Sequence, residues 1–241
     1  MFEPNQKSNI MELIVKTLLY LHVSFGFTSL VLFWIPVFIK KGGKGHRVVG
    51  KLYVIAMWVV VATAALLSVK NVIIGKYFMA IFLGFISLIT SNPLWYGMAI
   101  LRPKVQNSAR FHWMRIAFDG VIALAGVLML GYGIMLQGNN SSVLLIIFGC
   151  LGLTGIPSFI KNLNGPRQNE DRIRLHMIGL LTSGIAAYTA FFVFGGYTWM
   201  SKVLPGMWGV LPWTAPGVIG AFAIAFGVKY YRKRGLIANK A

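Results

Sequence analysis

Long apolar stretches separated by short polar connections dominate the chain. Each stretch is continuously apolar over about 18 residues or more, and apolar and polar positions do not alternate within it. Such runs predict transmembrane helices, because about 20 apolar residues cross a bilayer, whereas the strands of a membrane barrel alternate. The predicted spans are 13–39, 47–69, 77–101, 113–136, 143–160, 175–199 and 210–229.

No polar linker and no change of composition interrupts this pattern. We therefore interpret residues 1–241 as a single integral membrane domain, an all-α polytopic bundle of about seven helices. The first stretch follows Glu3, Lys7, Glu12 and Lys16, which is not the basic start of a cleaved signal peptide, so we predict a retained helix. Composition agrees, since 57% of the residues are hydrophobic and 12% are charged, about half the charged fraction of a soluble protein.

The distribution of basic residues predicts the orientation. The formal net charge is +18, and eighteen of the 23 Lys and Arg residues lie in 40–51, 102–115, 161–174 and 229–240. The positive-inside rule puts these segments in the cytoplasm, with the N-terminus outside and the C-terminus cytoplasmic. We expect a multi-pass protein of the plasma (inner) membrane whose cytoplasmic face binds anionic lipid headgroups, and the clustering at helix ends argues against a nucleic-acid partner.

The connection 200–216 is broken by prolines and rich in tryptophan. We predict an external loop here, with Trp199, Trp208 and Trp213 forming an interfacial aromatic belt.

Three of the four histidines recur at a nearly constant interval. His46, His112 and His176 are 66 and 64 residues apart, and each begins an even-numbered span two residues after a basic residue. A polar residue follows each histidine by seven positions, on about the same helix face two turns deeper. These polar residues are Tyr53, Asp119 and Ser183. The pattern predicts a threefold repeat of helical hairpins, with three imidazoles at one depth near the inner boundary of the hydrocarbon.

Asp119 is the one carboxylate well inside a predicted span. Ionisable residues at membrane depth are rare and usually functional. Arg115 lies one turn before Asp119 and could pair with it. The alternative is that Asp119 is a buried structural anchor held by Arg115 or by a helix end.

Imidazoles at one depth beside basic residues are typical of a haem b site. Two of His46, His112 and His176 would be axial ligands, and basic residues at the polar boundary would hold the propionates. The candidates for that second role are Arg47, Arg110, Arg115 and Arg174. A glycine one turn from a ligand would leave clearance for the flat ring, as Gly50 does after His46 and Gly179 after His176.

A divalent metal ion such as zinc is the alternative cofactor. Three histidines and an open position make a catalytic zinc ligand set, and Asp119 would be a further ligand or would orient one of the rings by a hydrogen bond. The spacing does not resemble HExxH or any cysteine-based zinc motif. The histidines could equally lie at the headgroup level, contacting lipid phosphate and capping helix starts.

His22 lies near the outer end of the first span, about 27 Å from Lys40 at helical rise. We consider two roles for it: ligand of a second, outer haem, or a buried histidine bonded to a neighbouring backbone or hydroxyl group.

Three segments carry a family resemblance: "HVSFGFTSL" around His22, "KKGGKGHRVVGKLYVIAM" around His46 and "RLHMIGLLTSG" around His176. They resemble a bacterial family of uncharacterised, predicted multi-span membrane proteins, catalogued as a domain of unknown function. That resemblance implies the membrane fold and the importance of the three histidines. Histidines on several glycine-spaced helices are also loosely similar to transmembrane b-type cytochromes.

Two functions follow from these observations. The first is a haem-bearing membrane protein that moves electrons from a quinol or a cytosolic donor; if it is an enzyme, it is a membrane oxidoreductase. The second is a non-redox transporter or other membrane protein with a proton- or metal-linked site made of the histidines and Asp119.

Overall fold

The computed structural model describes residues 4–136, 140–165, 171–196, 200, 202–204, 208–209 and 211–237, without the side chains of 4–8, 140 and 141. Within these residues the chain is helical and has no strand. The helices are α1 (Pro4–Phe38), α2 (Lys44–Ile73), α3 (Tyr77–Ala99), α4 (Pro103–Gln106), α5 (Ala109–Met135), α6 (Asn140–Leu153), α7 (Gly155–Leu163), α8 (Arg172–Ala190, continued by a π-helix over Phe191–Gly195) and α9 (Leu211–Lys233).

Seven segments of the described chain are helical, long enough and apolar enough to cross a membrane, with α6 and α7 together forming one of them. The predicted all-helical, multi-pass architecture is confirmed. Helices suit these sequences because a backbone surrounded by hydrocarbon must satisfy its own hydrogen bonds. The orientation of the termini stays a prediction.

Local sequence signals end and begin these helices. Gly75, with φ +72°, closes α2, and the N–H of Lys76 donates to the Asn71 carbonyl oxygen at 2.9 Å, as in a Schellman motif. At the start of α5 the Ser108 hydroxyl accepts from the Phe111 N–H. These caps satisfy backbone groups that a helix end leaves without an intrahelical partner.

The chain divides into two compact units, Met1–Ser87 and Leu88–Ala241, and α3 runs through the boundary between them. In the first unit α1 packs along α2. The Phe33 and Tyr53 rings meet at a centroid distance of 5.8 Å, and the Ser68 hydroxyl donates to the Ala80 carbonyl oxygen at 2.6 Å, joining α2 to α3.

In the second unit, glycines allow the helices to approach closely. A methyl group added to Gly152 of α6 would lie 2.6 Å from the Gly126 Cα of α5. Helices α8 and α9 also meet at a glycine, where Gly220 lies against the Ile185 side chain. Small residues serve this purpose in membrane bundles, where association depends on backbone approach more than on hydrophobic burial.

The region predicted as an external loop is partly helical. Trp199 lies outside the described residues and Trp208 is exposed. Trp213 belongs to α9, and its ring packs edge-on against Phe148 and Phe194, with centroids 5.7 and 6.0 Å apart. Trp213 therefore packs against aromatic rings of its own unit.

Candidate functional site

The basic turn between α1 and α2 caps the end of α1. The Lys41 ammonium donates to the carbonyl oxygens of Pro36 and Val37, at Nζ–O distances of 2.6 and 2.5 Å. These carbonyls lie in the last turn of α1, where intrahelical donors run out and the helix dipole is negative. Burial lowers the pKa of Lys41 below its ordinary value of 10.5. The turn therefore has a structural role of its own.

Two of the predicted ligands also bond to a helix end. His46 Nδ1 lies 3.2 Å from the Pro36 carbonyl oxygen, and His176 Nδ1 lies 2.7 Å from the Gly97 carbonyl oxygen. Pro36 and Gly97 each stand two residues before the last residue of their helix, α1 and α3. Because a carbonyl oxygen can only accept, Nδ1 donates and carries the proton in both rings.

His22 is held by a hydroxyl group. Its Nδ1 lies 2.9 Å from the Thr63 Oγ1 of α2. The Thr63 hydroxyl donates its one proton back to its own helix, to the carbonyl oxygens of Val59 at 2.7 Å and Val60 at 3.0 Å. The hydroxyl oxygen must therefore accept from the ring, so His22 also carries its proton on Nδ1. This bond is the structural role considered for His22 from the sequence.

The three rings share a chemical consequence. A neutral imidazole protonated on Nδ1 presents a lone pair on Nε2. Metal-binding histidines nearly always donate their other N–H to a carbonyl, a carboxylate or water, which fixes the ring. Bonds of this kind orient a ring for ligation through Nε2, but they also have roles without any cofactor: those of His46 and His176 cap helix ends, and that of His22 joins α1 to α2.

The other basic candidates occupy the first turns of their helices. His112 is half-buried at the start of α5, with its ring centroid 6.2 Å from that of Trp113. Arg47 and Arg110 are exposed, and Arg174 is half-buried. None of these placements assigns a propionate-binding role, which stays a prediction.

The predicted ligands divide between the two units of the chain. His46 belongs to Met1–Ser87, whereas His112, His176 and Asp119 belong to Leu88–Ala241. Over the residues that the structure describes, no group of three or more His, Cys, Asp or Glu side chains is placed to hold a metal ion. The zinc site therefore stays a prediction.

Gly179 does not provide the clearance predicted for a flat ring. A methyl group at Gly179 would lie 2.6 Å from the Pro93 carbonyl oxygen and 2.8 Å from the Gly97 Cα, so α3 fills this space. The prediction is wrong at Gly179 because the glycine serves the crossing of α8 and α3. Gly50 has no atom within 4 Å of such a methyl group, so that space is open.

Arg115 is buried among aromatic rings. Only 8% of the residue is exposed, and its guanidinium carbon lies 4.8 Å from the Tyr96 ring centroid and 5.9 Å from that of Phe111. A cation over an aromatic face is attracted by the ring quadrupole, which partly offsets the loss of hydration. The guanidinium is therefore held in the second unit by α3 as well as by its own helix.

Asp119 is the centre of a polar cluster that joins three helices. It lies in α5, ten residues after the helix start, or about 15 Å along the axis. Its Oδ2 accepts from Asn162 Nδ2 of α7 at 2.7 Å, and its Oδ1 accepts from Asn92 Nδ2 of α3 at 3.4 Å. The short bond to Asn162 is the stronger of the two, since 3.4 Å is beyond the usual N–H···O range.

The side-chain oxygen of Asn162 is a hydrogen-bond acceptor for which the described structure provides no donor. The residue is 1% exposed, and its Oδ1 has no hydrogen-bond partner in the described structure. The amide orientation is fixed because only the NH₂ group can donate to the carboxylate. A buried acceptor left unsatisfied costs about 1–3 kcal/mol, so this oxygen marks a place for a donor or a cation.

A break between α6 and α7 brings Asn162 to Asp119. Pro157 has no N–H to offer the Leu153 carbonyl oxygen, and α6 ends at Leu153. Gly155 then lies against α5, where a methyl group would be 3.0 Å from the Asp119 carbonyl oxygen. Asn162 follows seven residues later, two turns along the same face.

The sequence reasoning identified Asp119 but missed both asparagines. The available signals were an amide directly before Pro93 inside an apolar run and a second amide near the end of the broken fifth span. Uncharged polar residues are common enough in such positions that neither stood out.

The fold and these sites describe a multi-pass helical membrane protein. Comparisons with protein-family models, curated proteins and solved structures find no match to the chain. The resemblance to a bacterial membrane-protein family stays a prediction, so the function must be argued from the cluster of Asp119, Asn92 and Asn162.

Proposed function

We propose that this protein is a non-redox, cation-linked transporter of the plasma membrane, in which Asp119 reversibly takes up a proton or a small metal ion. One observation carries the proposal: a carboxylate inside a candidate span receives amide donors from two other helices. A charged side chain at the centre of a membrane helix costs about 2.5–3.5 kcal/mol on insertion scales, and such groups usually mark ion or proton pathways.

The character of the partners supports a reversible site. Amides orient a carboxylate and stabilise it by hydrogen bonding, but they do not neutralise its charge. Arg115 lies one turn away, yet its guanidinium is placed over the Tyr96 ring. A proton or metal ion at Asp119 would supply the neutralising charge and could leave again during a transport cycle.

The helix architecture fits the same role. The fifth span consists of two helices, α6 and α7, with a break after Leu153. Discontinuous spans frequently carry the ion sites of transporters, because their interrupted backbone and inward polar groups line a cavity. Asn162 is contributed by the second half of this broken span.

Flux measurements in proteoliposomes test the proposal. An imposed membrane potential should drive proton, Na⁺ or K⁺ uptake into vesicles that contain the wild-type protein. Asp119→Asn should abolish the uptake, because the amide carries no charge to balance a bound cation and does not take up a proton. Asp171→Asn is the matched control: Asp171 caps α8 from outside the spans, and Asn is an equally good cap. The proposal would be refuted if the wild type and Asp119→Asn gave equal flux, or if the wild type transported none of the three ions.

A haem-bearing electron-transfer protein is the second candidate. It is favoured by the Nδ1–H bonds of His46 and His176, which orient both rings as axial ligands are oriented. Haem b would supply one-electron chemistry between a quinol or cytosolic donor and an acceptor. The chain would supply two axial rings from His46, His112 and His176. The propionates would be held by the candidate arginines Arg47, Arg110, Arg115 and Arg174.

A reduced-minus-oxidised spectrum separates the two candidates. Protein purified after haem-replete expression should show a Soret band if the second candidate is right. Replacement of an axial histidine would then remove or shift the band. A wild-type preparation without any such band would eliminate the haem candidate and leave the transporter proposal untouched.

A further inference from the structure

We infer that Asn162 Oδ1 and the Asp119 carboxylate form a binding site for an alkali cation, Na⁺ or K⁺. This inference rests on the proposed function, because it names the ion that the Asp119 site would take. Its own evidence is the buried, unsatisfied Oδ1 of Asn162, on the same amide whose NH₂ group donates to Asp119 at 2.7 Å.

The donor atoms select the class of ion. The candidate ligand atoms are the Asp119 carboxylate oxygens and the Asn162 amide oxygen, which are all hard ligands. Softer transition metals prefer imidazole or thiolate, and neither is among the hydrogen-bond partners of Asp119. The donor set therefore favours an alkali or alkaline-earth cation.

The charge of the cluster narrows the choice to a monovalent ion. One carboxylate is present, and the two amides that contact it are neutral. A monovalent cation would balance this carboxylate, whereas a divalent ion would leave an extra positive charge near the buried Arg115. Uncompensated charge is costly away from water, so the single carboxylate fits Na⁺ or K⁺ better than Ca²⁺ or Mg²⁺.

A proton is the competing occupant of the site. Protonation neutralises Asp119 and turns it into an O–H donor, whereas a cation would be held by the Asn162 oxygen and the carboxylate together. The two occupants differ in their salt dependence, because only the cation requires Na⁺ or K⁺ in the buffer.

Equilibrium binding tests the inference without any transport. Purified full-length protein in detergent is titrated with radioactive Na⁺, and its thermal unfolding is compared in NaCl, KCl and choline chloride at equal ionic strength. We expect saturable binding and a higher Tm in NaCl or KCl than in choline chloride, because a ligand that binds only the folded state stabilises it. The same Tm in all three salts, together with no saturable binding, would overturn the inference.

Variants locate the ion. Asn162→Leu should weaken binding by at least about tenfold, since the loss of even an outer-shell partner costs 10–100-fold in metal affinity. Asn71→Leu is the matched control, because Asn71 is a buried amide of the other unit whose NH₂ group donates to the Leu67 carbonyl oxygen. Full affinity in a folded Asn162→Leu protein would refute this location. If that variant does not fold, the wild-type salt comparison still decides whether an alkali cation binds.

The binding experiments and the flux experiments test the two proposals separately. Proton flux that depends on Asp119 but needs no alkali cation, with no Na⁺ or K⁺ binding, would support the transporter and overturn the cation site. Saturable binding that depends on Asn162, without flux of any ion, would support the cation site and overturn the transporter.

Discussion

His176 should contribute measurably to stability through one hydrogen bond. Its Nδ1–H donates to the Gly97 carbonyl oxygen at 2.7 Å and so joins α8 to the end of α3. Interhelical hydrogen bonds in membrane proteins contribute about 0.6 kcal/mol on average and up to about 1.7. The carbonyl lies in the last turn of α3, where few donors remain, so we expect His176→Leu to cost about 1–2 kcal/mol.

Thermal unfolding in detergent measures this cost. For a chain of this length, 1 kcal/mol corresponds to about 2–4 °C, so His176→Leu should lower Tm by about 2–8 °C. His176→Asn is the matched variant, because its side-chain NH₂ group can take the place of Nδ1–H, and its Tm should stay near that of the wild type. A leucine variant as stable as the wild type would show that the bond contributes nothing and refute the reasoning.

Three further predictions concern packing, capping and the outer histidine. Gly179→Ala should lower Tm clearly more than Gly217→Ala, because the new methyl group would lie 2.6 Å from a carbonyl oxygen of α3, whereas Gly217 has open space. The free energy of unfolding of the wild type, relative to that of Lys41→Met, should increase as pH rises from the lowered pKa of folded Lys41 to 10.5. In that interval the unfolded state binds more protons than the folded state, so a rise in pH favours folding. Tm measurements on both proteins at several pH values check this. Thr63→Val should cost about 1 kcal/mol in denaturant-unfolding measurements, because the hydrogen bond between His22 and the Thr63 hydroxyl is lost.

Hydropathy predicted the spans because lipid-facing residues need no pattern beyond continuous apolarity. The third helix was predicted over 77–101 and ends at Ala99, and the last was predicted over 210–229 and covers Leu211–Lys233. A larger difference is at the start of α1, which begins at Pro4 rather than residue 13. An exposed Glu12–Lys16 ion pair at 2.7 Å links this extension to the predicted span, and such i,i+4 pairs support a helix that hydropathy does not detect.

The break in the fifth span shows another limit of the apolar pattern. Residues 143–160 were predicted as one helix, because every position there suits hydrocarbon. The single proline at 157 removes the N–H that the Leu153 carbonyl oxygen needs, and a helix boundary results. Prolines are tolerated in membrane helices when neighbours satisfy the freed groups, so the proline alone did not decide between a kink and a break.

The polar site was predictable only in part, for a different reason. Asp119 is visible in the sequence because a charge inside an apolar run is rare. Its partners Asn92 and Asn162 lie 27 residues before it and 43 after it, on helices that only tertiary packing brings together. The seven-residue spacing after the histidines did select inward positions, since Tyr53 and Ser183 are almost completely buried. It gave no information on what those positions contact.

The capping bonds of the histidines change how the basic turns should be understood. From the sequence, basic residues at helix ends were interpreted as setting the membrane topology and as binding haem propionates. Both roles depend on their positive charge. The structure adds a bond from Lys41 and one from His46 to the same Pro36 carbonyl oxygen. These donors are required wherever a helix ends, with or without a cofactor. Asp119 has no such general purpose, because it lies in the interior of α5 and draws amides from two other helices. A function argued from Asp119 therefore has stronger support than one argued from the histidines.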